Sequence, residues 1–279
     1  MTAADHWRRQ LEGWRIPDDL LAAVPDSPYG WPKRLWKRRA EHASQADTTS
    51  PTLAAVKSLA DGGSVLDVGA GTGRASLPLV RDGYRVTMVE PNSGMREGLS
   101  ELKGDLEFEL IAGRWPEAAR DVRPHTVSLC AHVVYDVADI APFLVALNDS
   151  ASRGVVLELT PAHPWANLAP LYIQFHGLER PHGPTVEDLT TVIKEEIGVE
   201  PQIDRWSRET DMVFDTVDEA VELGARRLVL PRARWAELKE YLIPRLVGRA
   251  GHWQVAPTER ELCTVWWRFN SLGSGAPPE

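Results

Sequence analysis

One segment constrains the fold of this chain more than any other, because an apolar run there leads into a glycine-rich turn and then a helical pattern. Residues 64–74 read Ser-Val-Leu-Asp-Val-Gly-Ala-Gly-Thr-Gly-Arg. The apolar half is typical of a strand covered on both faces, and the glycines let the backbone turn tightly and approach a ligand without Cβ interference. Residues 75–80 continue as a predicted helix. The segment therefore predicts the strand, turn and helix of a nucleotide-type cofactor site.

The spacing of the glycines separates two kinds of cofactor. A dinucleotide site of the G-x-G-x-x-G/A type would begin at Gly69 and would need Gly or Ala at position 74, where this chain has Arg74. The segment instead resembles the first motif of class I S-adenosylmethionine (SAM) dependent methyltransferases, in which an acidic residue, here Asp67, precedes a G-x-G-x-G turn. SAM has no phosphates, so its site needs acceptors for an ammonium group and for ribose hydroxyls. Carboxylates supply them.

A second acidic residue agrees with this resemblance. Residues 85–90 predict another strand with Glu90 at its carboxyl end, about twenty residues beyond the first glycine. A carboxylate there can accept both ribose hydroxyls, and the resemblance implies that role. The structural alternatives are a solvated strand-end charge for Glu90 and a turn-capping carboxylate for Asp67.

Composition sets the broad class. The chain has 279 residues, of which 43% are hydrophobic and 25% charged, which is ordinary for a soluble globular protein. The amino terminus lacks an apolar signal region, and no stretch reaches the roughly eighteen apolar residues of a membrane span. We therefore expect a cytoplasmic protein without a membrane partner. Cys130 and Cys263 lie in predicted buried strands without metal-ligand spacing, so we expect neither a metal site nor a disulfide.

The charge balance argues against broad binding of nucleic acid. The formal net charge is −9, whereas phosphate neutralisation needs a basic surface. Residues 33–39, Lys-Arg-Leu-Trp-Lys-Arg-Arg, are the exception, because basic residues with an interleaved aromatic ring can follow a nucleic-acid backbone. The alternative is an amphipathic helix that turns Leu35 and Trp36 toward the protein and its cations toward water.

The pattern of elements predicts an α/β protein with a doubly wound, Rossmann-like, seven-stranded sheet. Between about residues 63 and 160 apolar runs alternate with helical patterns, which indicates a parallel sheet covered by helices. Further strands are predicted at 106–111, 126–130, 154–159, 201–207 and 261–269. Helices are predicted at 138–147, 168–176, from about 185, at 217–230 and at 234–247.

The predicted domain organisation follows from these elements. Residues 1–60 form a helical cover, residues 61–270 form the methyltransferase domain, and residues 271–279 form a flexible tail. In class I methyltransferases the last two strands form a hairpin. The helices before the last strand would then be an insertion, so residues 161–185 and 211–258 are interpreted as lid or insertion segments.

The resemblance covers residues 60–160 well and 184–269 by layout only. More narrowly, residues 131–137, 156–160 and 175–181 resemble actinobacterial methyltransferase-domain proteins of undefined substrate. Two departures stand out. Many relatives carry an acidic residue past the third strand that binds the adenine amino group, whereas this chain reads Ala-Gly-Arg-Trp-Pro at residues 112–116, so Arg114 or Trp115 is predicted to cover the adenine face. His125 stands where relatives often have Asp.

The resemblance implies a set of cofactor-binding residues. They are Asp67, Gly69, Ala70, Gly71, Gly73, Glu90, Pro91, Met95, Arg114, Trp115 and Ala131. His132 follows the fourth strand, close to where a sulfonium methyl group should point, and is the candidate general base, with Tyr135 as a weaker catalytic candidate. The alternative is that His132 only shapes the pocket through hydrogen bonds.

Aromatic residues and histidines on the same rim are the candidates for binding the acceptor. They are Tyr29, Trp31, His132, His163, Trp165, Tyr172 and His176. For each of them packing is the alternative role. As a group they favour an apolar or aromatic acceptor.

These observations predict a SAM-dependent methyltransferase that acts on a small molecule and releases S-adenosylhomocysteine (SAH). Methyl transfer is an in-line displacement, so such an enzyme mainly aligns the acceptor and excludes water. Three alternatives remain open: a methyltransferase acting on RNA or another macromolecule through residues 33–39, a SAM-binding regulatory protein without transferase activity, and an NAD-dependent oxidoreductase, which Arg74 disfavours.

Overall fold

The computed structural model describes residues 1–25, 27–29, 49–249 and 251–269. The strands are β1 (Ser64–Val68), β2 (Arg85–Val89), β3 (Glu109–Ile111), β4 (His125–Ala131), β5 (Ala151–Leu159), β6 (Gln202–Glu209), β7 (Leu246–Arg249), β8 (His252–Val255) and β9 (Glu259–Arg268). The helices of these ranges are α1 (Ala3–Glu12), α2 (Asp18–Ala22), α3 (Pro51–Ala60), α4 (Ser76–Arg81), α5 (Ser93–Leu102), α6 (Ile140–Asp149), α7 (Ala169–His176), α8 (Val186–Glu196), α9 (Val217–Arg227) and α10 (Trp235–Leu242). Trp31, the basic segment 33–39 and the predicted tail lie outside the described residues.

The central feature is a sheet that, within the described ranges, has seven strands in the order β3-β2-β1-β4-β5-β9-β6. The strands β1 to β5 run parallel, and β9 runs antiparallel to both β5 and β6. This arrangement confirms the predicted doubly wound fold. Because β9 is reversed, its first residues and the last residues of β6 lie at the same edge as the carboxyl ends of β1, β2, β4 and β5, where ligands of such sheets bind.

Helices cover both faces of the sheet because alternate residues of each central strand point to opposite sides. Val65 of β1 packs with Leu53 and Leu77 from α3 and α4. Leu66, its neighbour, packs in the other layer, which includes Phe143 of α6. Asp67 has the same parity as Val65, so its carboxylate lies on the α4 side.

The amino-terminal residues of the predicted cover are held by tryptophans. Thr2 and Asp5 form a capping box at the start of α1. Trp7 is fully buried, and its Nε1 donates to the Val137 carbonyl oxygen at 2.9 Å. Trp14 Nε1 donates to the Gly183 carbonyl oxygen at 2.7 Å. The start of the chain is thereby tied to the segments that follow β4 and precede α8.

His125 has a structural explanation. It is 8% exposed, its Nε2 lies 2.9 Å from Thr87 Oγ1 of β2, and Thr87 in turn donates to Glu109 of β3 at 2.9 Å. The imidazole thus links the start of β4 to two strands on the far side of β1.

The segment between β6 and β9 contains α9, α10 and a β7–β8 hairpin. Two boundaries predicted from the sequence are wrong here. The helix predicted for 234–247 ends at Leu242, because Pro244 has no N–H to continue it, and residues 246–249 pair with β8 instead. The helix predicted for 217–230 ends at Arg227, where the chain folds back as Leu230 N donates to the Ala225 carbonyl oxygen at 2.9 Å.

The third strand is also shorter than predicted. Residues 106–111 were expected to be extended, but only Glu109–Ile111 pairs with β2. The preceding residues still belong to the turn after α5, since Leu106 N donates to the Lys103 carbonyl oxygen at 3.0 Å. None of the described helices is long and apolar enough to cross a membrane. Cys130 and Cys263 are buried, free thiols.

Candidate functional site

The glycine turn lies at the carboxyl end of β1 and has the geometry that its sequence requires. Gly69, Gly71 and Gly73 have φ values of 73°, 58° and 82°, in the left-handed region that favours glycine. A Cβ on Gly69 would lie 2.3 Å from Val133 Cγ2, and one on Gly73 would lie 2.6 Å from Leu99 Cδ1. A Cβ on Gly71 would have no described atom within 4 Å beyond its chain neighbours. The outer glycines are therefore needed for packing, and the middle one borders open space.

Glu90 is held beside this turn. Its two carboxylate oxygens accept hydrogen bonds from Gly71 N and from Asn92 N, each at 2.8 Å. Arg96 Nη1 donates to the Glu90 and Pro91 carbonyl oxygens at 2.9 and 2.7 Å, which fixes the chain after β2. A carboxylate offers about four acceptor positions, so Glu90 keeps capacity for two hydroxyl groups.

Asp67 lies below the turn and is 1% exposed. One oxygen accepts a hydrogen bond from Ser76 Oγ at 2.6 Å, and the other has no hydrogen-bond partner among the described residues. Burial raises the pKa of this carboxyl to about 6, against the opposing effects of Ser76 and Arg74. Since an unpaired buried acceptor is costly, a cationic donor at this position would stabilise the ionised form.

The other predicted cofactor-binding residues, which include the two adenine candidates Arg114 and Trp115, differ in exposure. Pro91 and Arg114 are exposed, and Met95 and Ala131 are partly buried. Trp115 is only 7% exposed, and its Nε1 donates to the Phe143 carbonyl oxygen at 3.2 Å, so its ring belongs to the core. This leaves Arg114, rather than Trp115, available at the surface for an adenine ring.

A buried charge network lies beyond the turn, above β4 and β5. Glu158, at the end of β5, is 2% exposed, forms an ion pair with Arg74, and has Oε1 3.0 Å from His132 Nε2. The His132 main-chain N also donates to the Glu158 carbonyl oxygen at 2.8 Å. Burial acts to raise the pKa of Glu158, but Arg74 and His132 outweigh it and hold that pKa well below its usual range.

Sequence reasoning missed Glu158 and used Arg74 only to exclude a dinucleotide. The available signal was the single acidic residue in the otherwise apolar run Val-Val-Leu-Glu-Leu at residues 155–159.

His132 is neutral in this setting. Burial lowers its pKa to about 3, and Arg74 and Arg260 add to the effect against the opposing influence of Glu158. The adjacent carboxylate favours the tautomer with the proton on Nε2, which makes Nδ1 the acceptor. Nδ1 has no hydrogen-bond partner in the described parts of the chain. The residue has φ 61°, which turns the chain sharply at the end of β4.

A continuous row of rings extends from His132 across the rim. Centroid distances along it are 6.3 Å from His132 to Tyr135, 6.1 Å from Tyr135 to His163, 6.1 Å from His163 to Trp165 and 5.6 Å from Trp165 to Tyr29. Trp14, which sequence reasoning did not select, stacks on His163 at 4.3 Å. The structure thus brings Tyr29, His163 and Trp165 together with His132.

Tyr135 is fixed within this row. Its hydroxyl lies 2.7 Å from Thr160 Oγ1, and burial raises the pKa of the phenol. Burial also lowers the pKa of His163 to about 4. His132, Tyr135 and His163 are therefore uncharged at neutral pH.

Tyr172 and His176 lie apart from the row. Tyr172 is fully buried and donates to the Arg227 carbonyl oxygen at 2.6 Å, while His176 Nε2 lies 2.6 Å from the Leu228 carbonyl oxygen. Both residues therefore join α7 to the end of α9. Arg227 in turn lies 5.1 Å above the Trp165 ring, so the insertion also reaches the row of rings.

The fold and the glycine turn together define a protein with the class I methyltransferase fold. Among solved structures, a provisionally assigned methyltransferase from Bacillus halodurans C-125 is similar with a TM-score of 0.50 and 12% identity, over 80% of this chain and 99% of that chain. The magnesium protoporphyrin IX methyltransferase of Synechocystis PCC 6803 is similar with a TM-score of 0.44 and 14% identity, over 94% and 92%. TehB from Haemophilus influenzae is similar with a TM-score of 0.47 and 13% identity, over 83% of this chain and 67% of that chain. No protein-family profile and no curated protein matches this chain.

Proposed function

We propose that this protein is a SAM-dependent methyltransferase whose acceptor is a small molecule. The observation that carries the proposal is the hydrogen bond of Glu90 to the main-chain N of Gly71, a glycine whose Cβ side is open, with the incompletely paired Asp67 carboxylate below the same turn. A ribose needs two hydroxyl acceptors and an amino acid needs an acceptor for its ammonium group. These two carboxylates offer both.

The residues around the turn fit SAM in chemical type. Glu90 would accept the ribose hydroxyls, Asp67 would bind the ammonium group, and Arg114 would cover the adenine. No phosphate is accommodated, because two buried carboxylates at the turn would repel it. When bound, the cofactor supplies a methyl group on a sulfonium, which already carries a good leaving group.

The chain's own residues then have to orient the acceptor and exclude water. His132 offers Nδ1 as a hydrogen-bond acceptor at the end of β4, and Glu158 fixes the ring that carries it. The uncharged row of rings beside it favours an apolar or aromatic acceptor body. A pKa of about 3 makes His132 a weak proton acceptor, so we propose that it aligns the acceptor rather than collecting its proton.

Calorimetric titration tests the cofactor assignment. We expect SAH to bind the wild type and NAD not to bind. Glu90→Gln should weaken SAH binding roughly 10- to 100-fold, because hydrogen bonds to a charged group contribute about 1.5–3 kcal/mol. Glu101→Gln, an exposed change on α5, is the matched control and should bind as the wild type does. Binding of NAD alone, or full affinity in Glu90→Gln, would overturn the proposal.

Turnover separates an enzyme from a binding module and tests His132. Once a molecule that the protein methylates has been identified, kcat can be measured with it. His132→Ala should lower this kcat about tenfold through poorer alignment of the acceptor and leave SAH affinity unchanged. An aligning His132 predicts no acid limb near pH 6.5 in the wild-type kcat profile. General base catalysis would instead be established if the wild type has such a limb and His132→Ala both loses it and lowers kcat about 10²-fold.

A further inference from the structure

A cavity of about 200 Å³ lies next to the charge network and borders the glycine turn at Arg74 and Ala75. Its walls come from the start of α3, from Arg74 and Glu158, and from residues 206–208 at the end of β6. At liquid density this volume holds about seven water molecules, so it is large enough for a small organic group.

Arg208 dominates this cavity because its guanidinium is incompletely paired. The side chain is 21% exposed, and its Nη2 lies 3.8 Å from Asp211 Oδ2, which is beyond hydrogen-bond distance. Nε and Nη2 have no hydrogen-bond acceptor in the described ranges. Leaving buried N–H donors of a charged group without acceptors is costly, so the arrangement indicates an acceptor that binds from outside the chain.

The surroundings of Arg208 make that acceptor an anion. Arg208 faces Arg260 directly across the β6–β9 pair, and like charges in such a cross-strand position repel. Burial, with Arg74 and Arg260 nearby, lowers the pKa of Arg208 to about 10, so it remains protonated at neutral pH. The positive end of the α3 dipole, at Pro51 and Thr52, also borders the cavity.

We infer that this cavity binds the carboxylate of an acidic acceptor molecule. A singly charged, planar group suits the fork of Arg208, whereas a phosphate dianion would be repelled by Glu158 in the same wall. The Trp206 ring and Leu53 provide an apolar wall for the body that carries the carboxylate. This inference rests on the proposed function, because it assigns the cavity to the acceptor of that reaction.

One wall of the cavity, Arg74 and Ala75, directly follows the glycine turn, and the position of Arg208 in the opposite wall favours the acceptor over the carboxylate of SAM. Arg208 lies on β6, four strands away from β1 and its glycine turn. At about 4.8 Å per strand the backbone separation is roughly 19 Å. Between these two points lie His132 and Glu158, at the end of the strands over which the methyl group would be transferred.

Titration of the SAH-loaded protein with benzoate and with benzamide tests the inference, because the two probes differ in charge and little in shape. We expect benzoate to bind at least about tenfold more tightly than benzamide, a difference that corresponds to one charged hydrogen bond. Arg208→Gln should reduce benzoate binding to the level of benzamide and leave SAH affinity unchanged. Arg205→Gln on the same strand, where Arg205 forms an exposed ion pair with Glu187, is the matched control and should change neither.

Four outcomes would overturn the inference: equal binding of benzoate and benzamide, equal effects of the two arginine variants, displacement of benzoate by equimolar inorganic phosphate, or loss of SAH affinity in Arg208→Gln. The last result would give the cavity to the cofactor's own carboxylate. The comparison of the two probes on the unaltered protein needs no variant, so it decides the matter even if Arg208→Gln does not fold. Failure of the wild type to bind SAH would overturn the proposed function instead, and benzoate can still be titrated without it.

Discussion

The two halves of the candidate site are built in different ways. The half around β1 and β2 consists of the glycine turn and the carboxylates of Asp67 and Glu90, all within residues 67–90. Main-chain N–H groups hold Glu90 in place. The half above β4, β5 and β6 is assembled from side chains far apart in the chain, such as Arg74 with Glu158 and Arg208 with Arg260. The folding stability of a half built from main-chain hydrogen bonds depends little on any one side chain. In a half built from buried charges, the loss of one partner leaves the other buried and unpaired.

The largest effect on stability is expected in the second half, at Glu158. Glu158→Ala leaves Arg74 and His132 without their shared carboxylate, and breaking a buried pair in this way costs about 3–5 kcal/mol of unfolding free energy. Urea denaturation measures this loss. Glu187→Ala, which removes the exposed pair with Arg205, should cost less than about 1 kcal/mol. Equal losses would remove the contrast between buried and exposed pairs.

A smaller effect on stability, with a clear effect on binding, is expected at Gly71. Gly71→Ala places a methyl group at φ 58°, which costs roughly 1–2 kcal/mol, and fills the open space where we place the cofactor. SAH affinity should fall at least about tenfold. Gly69→Ala is the comparison, because its Cβ would collide with Val133, so it should lose more stability than Gly71→Ala. Normal SAH binding by Gly71→Ala would contradict the placement of the cofactor.

The smallest effect is a pH dependence that belongs to the first half alone. The pKa of Asp67 is about 6, so this carboxyl is charged above pH 6 and becomes neutral as the pH falls below it. Attraction for an ammonium group is then lost, and SAH affinity should decline about tenfold between pH 7 and pH 5. In Asp67→Asn the affinity should be low and independent of pH over this range. If the SAH affinity of the wild type stays constant down to pH 5, Asp67 does not bind the ammonium group.

The same contrast explains what could be predicted from the sequence. The first half could be predicted because its strand, turn and carboxylates lie close together in the sequence. Each of them also requires a particular residue type at a particular spacing. Arg74 and Glu158 meet only because the sheet order places β4 and β5 beside β1. Arg208 and Arg260 meet only through the pairing of β6 with β9 across a long insertion.

The packing of single aromatic residues was also beyond the sequence. Trp115 and Tyr172 have the residue type of a ligand contact, yet hydrogen bonds to the Phe143 and Arg227 carbonyl oxygens hold them in the core. Trp14, by contrast, was not among the predicted contact residues, yet it stacks on His163. A pattern of apolar residues shows that a ring is covered, but the covering partner depends on tertiary structure.

The pairing of β6 with β9 has a consequence for how such a protein can diversify. Glu209 and Glu259 are the last pair of this ladder, and Thr210 N donates to the Thr258 carbonyl oxygen at 2.8 Å directly beyond it. Residues 211–257 therefore leave and rejoin the sheet at the same place, where the two chain segments are joined by this hydrogen bond. Lengthening a closed loop costs little additional entropy, so this segment can be exchanged or rebuilt while the strands below keep their register. Changes in this segment can therefore alter the contact of Arg227 with the Trp165 ring while Asp67, Glu90 and the glycine turn stay the same.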